Sequence, residues 1–243
     1  LVSQPSPADF EKSPYGELTQ KYKVSIDFRK FITIEGITAS DFRKDKVYIQ
    51  NHSAVIFTSR NAVDHFFRIS REMRVDIQDS MKYFCISEAT AFYLQKYVQF
   101  RKRKIFSSNQ NFDDLIELMK KHKDEKFLMP CSDIQKLSLT KLLDKNRFKY
   151  TKAVIYKTLP SDLSDMDITQ YDMLVFFSPG GIKSLFRNFP EFKQNHTLIG
   201  AFGPSTIAAV KENGLKVNIE APTKTALSMT DALDQYFQSL CKK

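Results

Sequence analysis

The sequence predicts an α/β protein of two similar lobes, each a parallel sheet flanked by helices, joined by a two-stranded β connector. Three observations lead there. Short apolar runs alternate with segments whose apolar residues recur at helical spacing, the order that builds parallel sheets covered on both faces. Three strand–helix units recur later in the chain in the same order. Two β-rich segments, 24–34 and 149–158, flank the first set of units. A chain of 243 residues suits one or two domains and can bury its core without disulfides or metal.

Taken in order, residues 1–3 read as the stub of a strand, 14–22 as a helix and 24–32 as a strand. Residues 54–59 are an apolar run closed by two hydroxyls, which reads as a buried strand. Ala62, Val63, Phe66, Phe67 and Ile69 then fall at helical spacing over 61–70. Strands over 83–86, 104–106 and 127–129 lead into helices over 88–97, 112–122 and 134–144. A strand over 152–158 follows, and the polar stretch 158–165 is a loop into the second set of units. There, strands over 173–177, 198–201 and 216–219 lead into helices over 180–187, 204–213 and 225–240. Pro204 favours a helix start, and Gly214 stands where a C-terminal cap is expected.

The repeat is the most informative feature. Val55-Ile-Phe-Thr-Ser-Arg-Asn-Ala-Val63 aligns with Leu174-Val-Phe-Phe-Ser-Pro-Gly-Gly-Ile182 at an offset of 119, with Ser59 on Ser178. Cys85-Ile-Ser-Glu-Ala-Thr-Ala91 aligns with Ala201-Phe-Gly-Pro-Ser-Thr-Ile207 at 116, with Thr90 on Thr206. Lys104-Ile-Phe aligns with Lys216-Val-Asn at 112. All α/β units look somewhat alike, but three in unchanged order, two sharing a turn hydroxyl, favour a duplication. The expected division is one lobe from 1–32 with 159–243, a second over 37–150, and a connector region of 24–36 with 149–158.

Lys and Arg number 37 against 28 Asp and Glu, a net charge of +9. That favours an anionic partner: nucleic acid, a membrane surface or a small polyanion. No apolar run approaches the roughly 18 residues of a membrane span. The first residue is not Met, so a removed leader stays open. Cys85, Cys131 and Cys241 are scattered, which predicts neither a disulfide framework nor a zinc site and suggests a reducing compartment, the cytoplasm. His52, His65, His122 and His196 add no metal-ligand spacing. The glycosylation patterns at Asn51 and Asn195 read as chance matches. A phosphate-binding P-loop, a dinucleotide fingerprint and a nucleophile elbow are all missing. The basic run Arg101-Lys-Arg-Lys104 reads as a solvated loop as readily as an anion contact. No RNA-binding aromatic motif is present, so nucleic acid rests on net charge alone and is not expected as a partner.

The strand-to-helix turns hold Thr58 with Ser59, Ser87 with Thr90, Ser178 with Gly180, and Ser205 with Thr206. In a parallel sheet these turns lie at the carboxyl ends of the strands, where ligands bind. Helix N-termini there offer free N–H groups to an anion, and hydroxyls add donors. The same Ser and Thr residues also serve simply as helix caps. Tyr156 lies in the connector segment, as a phenol able to act as a general acid or as a partly buried structural ring.

These turns carry a resemblance. Val55-Ile-Phe-Thr-Ser59 with Ala62-Val63, Phe127-Leu-Met-Pro-Cys131, Val154-Ile-Tyr-Lys-Thr158, Phe176-Phe-Ser-Pro-Gly-Gly181 and Ile199-Gly-Ala-Phe-Gly-Pro-Ser-Thr206 resemble, in order and spacing, the uroporphyrinogen-III synthase family. The resemblance covers nearly the whole chain. It implies a bilobed monomer acting on hydroxymethylbilane, a polycarboxylate tetrapyrrole, without metal or organic cofactor and without a membrane partner. It also implies a transient contact with the deaminase that supplies this substrate. The implied reaction is loss of the terminal hydroxyl, attack at the substituted carbon of the last pyrrole, a spiro intermediate, and closure with that ring inverted. By the resemblance Thr58, Ser59, Thr90, Ser178, Ser205 and Thr206 line the substrate cleft, and Tyr156 is the acid that assists hydroxyl departure. Two positions depart from the family's pattern. Gln4 stands where many members carry Arg, and Glu88 puts an acid where a small or polar residue is usual. The alternative reading is a non-catalytic two-lobed protein that binds a small polyanion.

Overall fold

The computed structural model describes residues 1–99, 101–109, 111–134 and 137–241. Helix α1 spans Pro14–Tyr22, with Ser13 as its N-cap. The strand expected over 24–32 does not form. Val2 donates its N–H to Asp27 O at 2.8 Å and accepts the Arg29 N–H at 3.0 Å, which makes one isolated bridge to Phe28. Strand β1 starts only at Ile32 and runs Ile32–Gly36. Exposure nevertheless alternates from Tyr22 to Phe28, the pattern that reads as a strand.

The first set of units follows closely: α2 (Ala39–Lys44), β2 (Ala54–Phe57), α3 (Arg60–Glu72), β3 (Lys82–Cys85), α4 (Glu88–Leu94), β4 (Ile105–Ser107), α5 (Phe112–Lys120), β5 (Phe127–Ser132), α6 (Leu137–Lys145) and β6 (Tyr150–Pro160). Helix α4 is shorter than the expected 88–97. After Leu94 the N–H groups of Gln95, Lys96 and Tyr97 bond three residues back, so the chain tightens into turns. The helix expected from 134 contains residues 135–136, which lie outside the described residues, and Ile134 sits in a turn.

The second set comprises β7 (Met173–Phe176), α7 (Pro179–Asn188), β8 (Leu198–Phe202), α8 (Pro204–Glu212), β9 (Ile219–Ala221) and α9 (Met229–Cys241). Strand β9 begins three residues later than expected. The Gln194 side-chain amide binds both the N–H and the C=O of Lys216, at 2.7 and 2.9 Å, and so takes that residue out of the ladder. Helix α9 begins four residues late. Ser228 accepts the Asp231 N–H at 3.0 Å while the Asp231 carboxylate accepts the Ser228 N–H at 2.9 Å, a reciprocal cap that fixes the start there.

The chain divides into two compact units, Leu1–Thr33 with Leu159–Lys243, and Ile34–Thr158. The boundary falls inside β1 and inside β6, which are neighbours in the larger sheet. That sheet has the order β1-β6-β5-β2-β3-β4, and β6, β5, β2, β3 and β4 pair in parallel. Strand β2 shows why both faces are covered. Val55 and Phe57 pack with Ala62, Val63, Phe66 and Ile69 of α3, while Ala54 and Ile56 pack with Leu115, Ile116 and Met119 of α5 and Leu139 and Leu143 of α6. In the other unit the parallel sheet β7-β8-β9 repeats the scheme. Leu174 and Phe176 face α7 and α8, and Val175 faces α1 and α9. Val2 bridges to Val175 in parallel, which seats the chain start beside β7.

Candidate active site

Parallel pairing brings the carboxyl ends of β2, β3, β5 and β6 to one edge of the larger sheet. Ser59 follows β2 in extended backbone, φ −163° and ψ 162°, and its Oγ accepts the Ala62 N–H at 3.1 Å. Ser87 follows β3 with φ −153° and ψ 159°; its Oγ accepts the Thr90 N–H at 3.2 Å and meets the Thr90 hydroxyl at 3.1 Å. Both are therefore N-caps, and each satisfies one of the N–H groups a helix start leaves open. Thr58 and Ser59 are half-buried, whereas Ser87 and Thr90 are buried.

Tyr156 sits on β6 opposite Ser132, the last residue of β5. It is 7% exposed. Its hydroxyl meets Ser59 Oγ at 3.2 Å, and the Ser132 side chain lies near enough to favour the ionised phenol slightly. Burial pushes the phenol above its ordinary range, against the opposing pull of those two hydroxyls. The ring keeps its proton at neutral pH, and a phenol held this way can donate it to an oxygen brought within hydrogen-bond reach. The His65 ring stacks on Tyr156 at 5.1 Å between centroids and 22° between planes. Burial, and then the Arg68 charge, hold His65 below the usual imidazole range. Neither Ser132 nor His65 was singled out by sequence. His65 is six residues past Ser59 on α3, and nothing in that spacing announces a strand 91 residues further on.

In the other unit, Ser178 follows β7 with φ −156° and ψ 154°, and its Oγ caps the Gly181 N–H at 3.4 Å. Ser178 and Gly180 are half-buried. At the start of α8 the cap position is Gly203, with φ 86° and no side-chain cap. Ser205 is exposed and Thr206 is 1% exposed. The repeat is thus preserved in geometry: Ser59 and Ser178 are matching caps, and Thr90 and Thr206 are matching buried residues at the third helical position. The chain brings Ser59 together with Tyr156, and Ser87 with Thr90, within one unit; Ser178, Gly180, Ser205 and Thr206 belong to the other.

Glu88 is exposed at the first position of α4, where a negative charge complements the helix dipole. Gln4 is half-buried just past the Val2 bridge. Among the described residues no three His, Cys, Asp or Glu side chains gather as a metal site, and no helix is long and apolar enough to cross a membrane.

Comparison with known proteins bears on what this rim serves. The family model described as uroporphyrinogen-III synthase HemD matches residues 25–231. A mutant uroporphyrinogen III synthase from the extremely thermophilic bacterium Thermus thermophilus is similar in fold, with a TM-score of 0.59 at 13% identity, covering 100% of this chain and 98% of its own. The uroporphyrinogen-III synthetase of Helicobacter pylori also gives a TM-score of 0.59, at 17% identity, covering 89% of this chain and 94% of its own. No curated protein sequence matches.

Proposed function

Since the chain belongs to the uroporphyrinogen-III synthase family, we propose that it cyclises hydroxymethylbilane to uroporphyrinogen III, inverting the last pyrrole through a spiro intermediate. The observation that carries the reading is the Tyr156 phenol, buried, protonated and tethered to Ser59 at the carboxyl edge of a parallel sheet. In this reading Tyr156 donates a proton to the departing hydroxyl of the linear tetrapyrrole. Ser59 and Ser132 then share the charge left on the phenol oxygen. Thr58, Ser87, Thr90, Ser178, Gly180, Ser205 and Thr206 belong to the turns that bind the substrate's acid side chains. The capped helix starts there still direct uncapped N–H groups at an anion. The substrate closes without inversion when left to itself, so the protein's contribution is largely orientation: it makes the spiro route the faster one.

The test is an isomer assay. Hydroxymethylbilane is generated in place by a deaminase, the protein is added, and the oxidised uroporphyrins are separated by chromatography. Mostly type III product is expected. Type I alone, with the tetrapyrrole still bound, would support a non-catalytic polyanion-binding protein instead. Tyr156→Phe is expected to slow turnover without abolishing it, because electron donation from the pyrrole nitrogen helps expel the hydroxyl and water can supply the proton; unchanged kinetics would remove the phenol from the mechanism.

A further inference from the structure

Arg68 makes contacts that capping and core packing do not explain. Its Nε donates to His65 Nδ1 at 3.1 Å and its Nη1 to Glu72 Oε1 at 2.8 Å. Its Nη2 donates to the carbonyls of Ile37, at 2.9 Å, and Ile155, at 3.2 Å. Ile155 is the residue immediately before Tyr156. Ile37 N–H in turn donates to Ile155 O at 3.0 Å, so one guanidinium ties α3 to both chain segments that meet beside the phenol. Space for it is made by Gly36. A Cβ there would lie 2.7 Å from the Arg68 Cζ and Nη2.

The tautomer of His65 follows from these contacts. A guanidinium N–H only donates, so Nδ1 must accept, and the ring's proton sits on Nε2. The neutral ring so fixed is the one that stacks on Tyr156. We infer that Arg68 and His65 are positioning residues for Tyr156: Arg68 fixes the strand that carries the phenol and the orientation of the imidazole, and the imidazole fixes the plane of the phenol ring. This inference rests on the reading of Tyr156 as the proton donor. It adds how that donor is aimed.

Arg68→Gln is expected to lower kcat about tenfold with KM unchanged, the loss typical of a misaimed group rather than a missing contact. The same substitution in a Tyr156→Phe background is expected to cost nothing further. A purely structural role would lower activity equally in both backgrounds, and that outcome would overturn the proposal. Gly36→Ala provides a second route, since it displaces the guanidinium without removing it and lies outside the substrate-binding turns. It is expected to reproduce the Arg68→Gln kinetics. The 13C resonance of the Tyr156 Cζ reads the phenol's environment whatever the turnover. It is expected to move in Arg68→Gln and in Gly36→Ala, and an unmoved resonance would overturn the positioning role. If Tyr156→Phe is as active as the parent while the resonance moves as expected, the proton-donor reading fails and the positioning geometry stands.

Discussion

Ser59 and Ser178 are the same residue in two copies of one motif, yet their duties differ. Each caps its helix, but Ser59 also meets a buried phenol hydroxyl. Ser178→Ala should therefore cost about 1 kcal/mol, the worth of a cap. Ser59→Ala should cost that and about 1 kcal/mol more, because a partly desolvated phenol loses a partner. Urea unfolding of the two variants measures the difference; equal losses would mean that the Ser59–Tyr156 contact adds nothing to stability. The caps were legible in the sequence because a hydroxyl directly after an apolar run has few other places to be. The surroundings of Tyr156 were not. Its neighbours come from two places far apart in the chain, Ser59 and His65 from the start of α3 and Ser132 from the end of β5, and only the order of strands in the sheet brings them to Tyr156.

Among the elements, the start of α8 is the one most constrained by its backbone. Gly203 combines φ 86° with ψ 149°, a region that only glycine visits freely, and its N–H donates to Ala221 O at 2.6 Å. A Cβ at this position would meet nothing within 4 Å. Gly203→Ala should therefore destabilise by about 1–3 kcal/mol through strain alone. A chemical melt reads it, and a loss no larger than that of an ordinary surface substitution would show that the turn relaxes. In the repeat, Gly203 occupies the position that Ser87 holds in the first set of units, so this turn has the buried threonine without the side-chain cap. Most elements could be read because β2, β3, β5, β7 and β8 were each bounded by a turn signal and followed by helical spacing. Two of the misreadings share a cause. Residues 24–30 form only the Phe28 bridge to Val2, and the backbone of Lys216 is held by Gln194; both outcomes depend on residues distant in sequence, which local pattern does not register.

For the molecule as a whole, the excess of basic residues sets how an anionic substrate arrives. With a net charge of +9 and the proposed polycarboxylate substrate, KM should rise severalfold between ionic strengths of about 0.01 M and about 0.15 M, as the screening length falls from roughly 30 Å to roughly 8 Å. The turnover number should stay nearly level, since the proposed chemistry is local to the phenol. Steady-state kinetics across a salt series checks both, and a flat KM would mean that long-range attraction plays no part. The two-unit organisation was legible because the same motifs recur in the same order, which no single motif would have revealed. That organisation also has a temporal side. One unit is a continuous stretch, Ile34–Thr158, whereas the other is assembled from Leu1–Thr33 and Leu159–Lys243. A ribosome delivers the continuous stretch whole while the opening segment still lacks β7, the strand beside which Val2 comes to rest. Val2 thus waits for a partner that is made only after Ile34–Thr158 is complete.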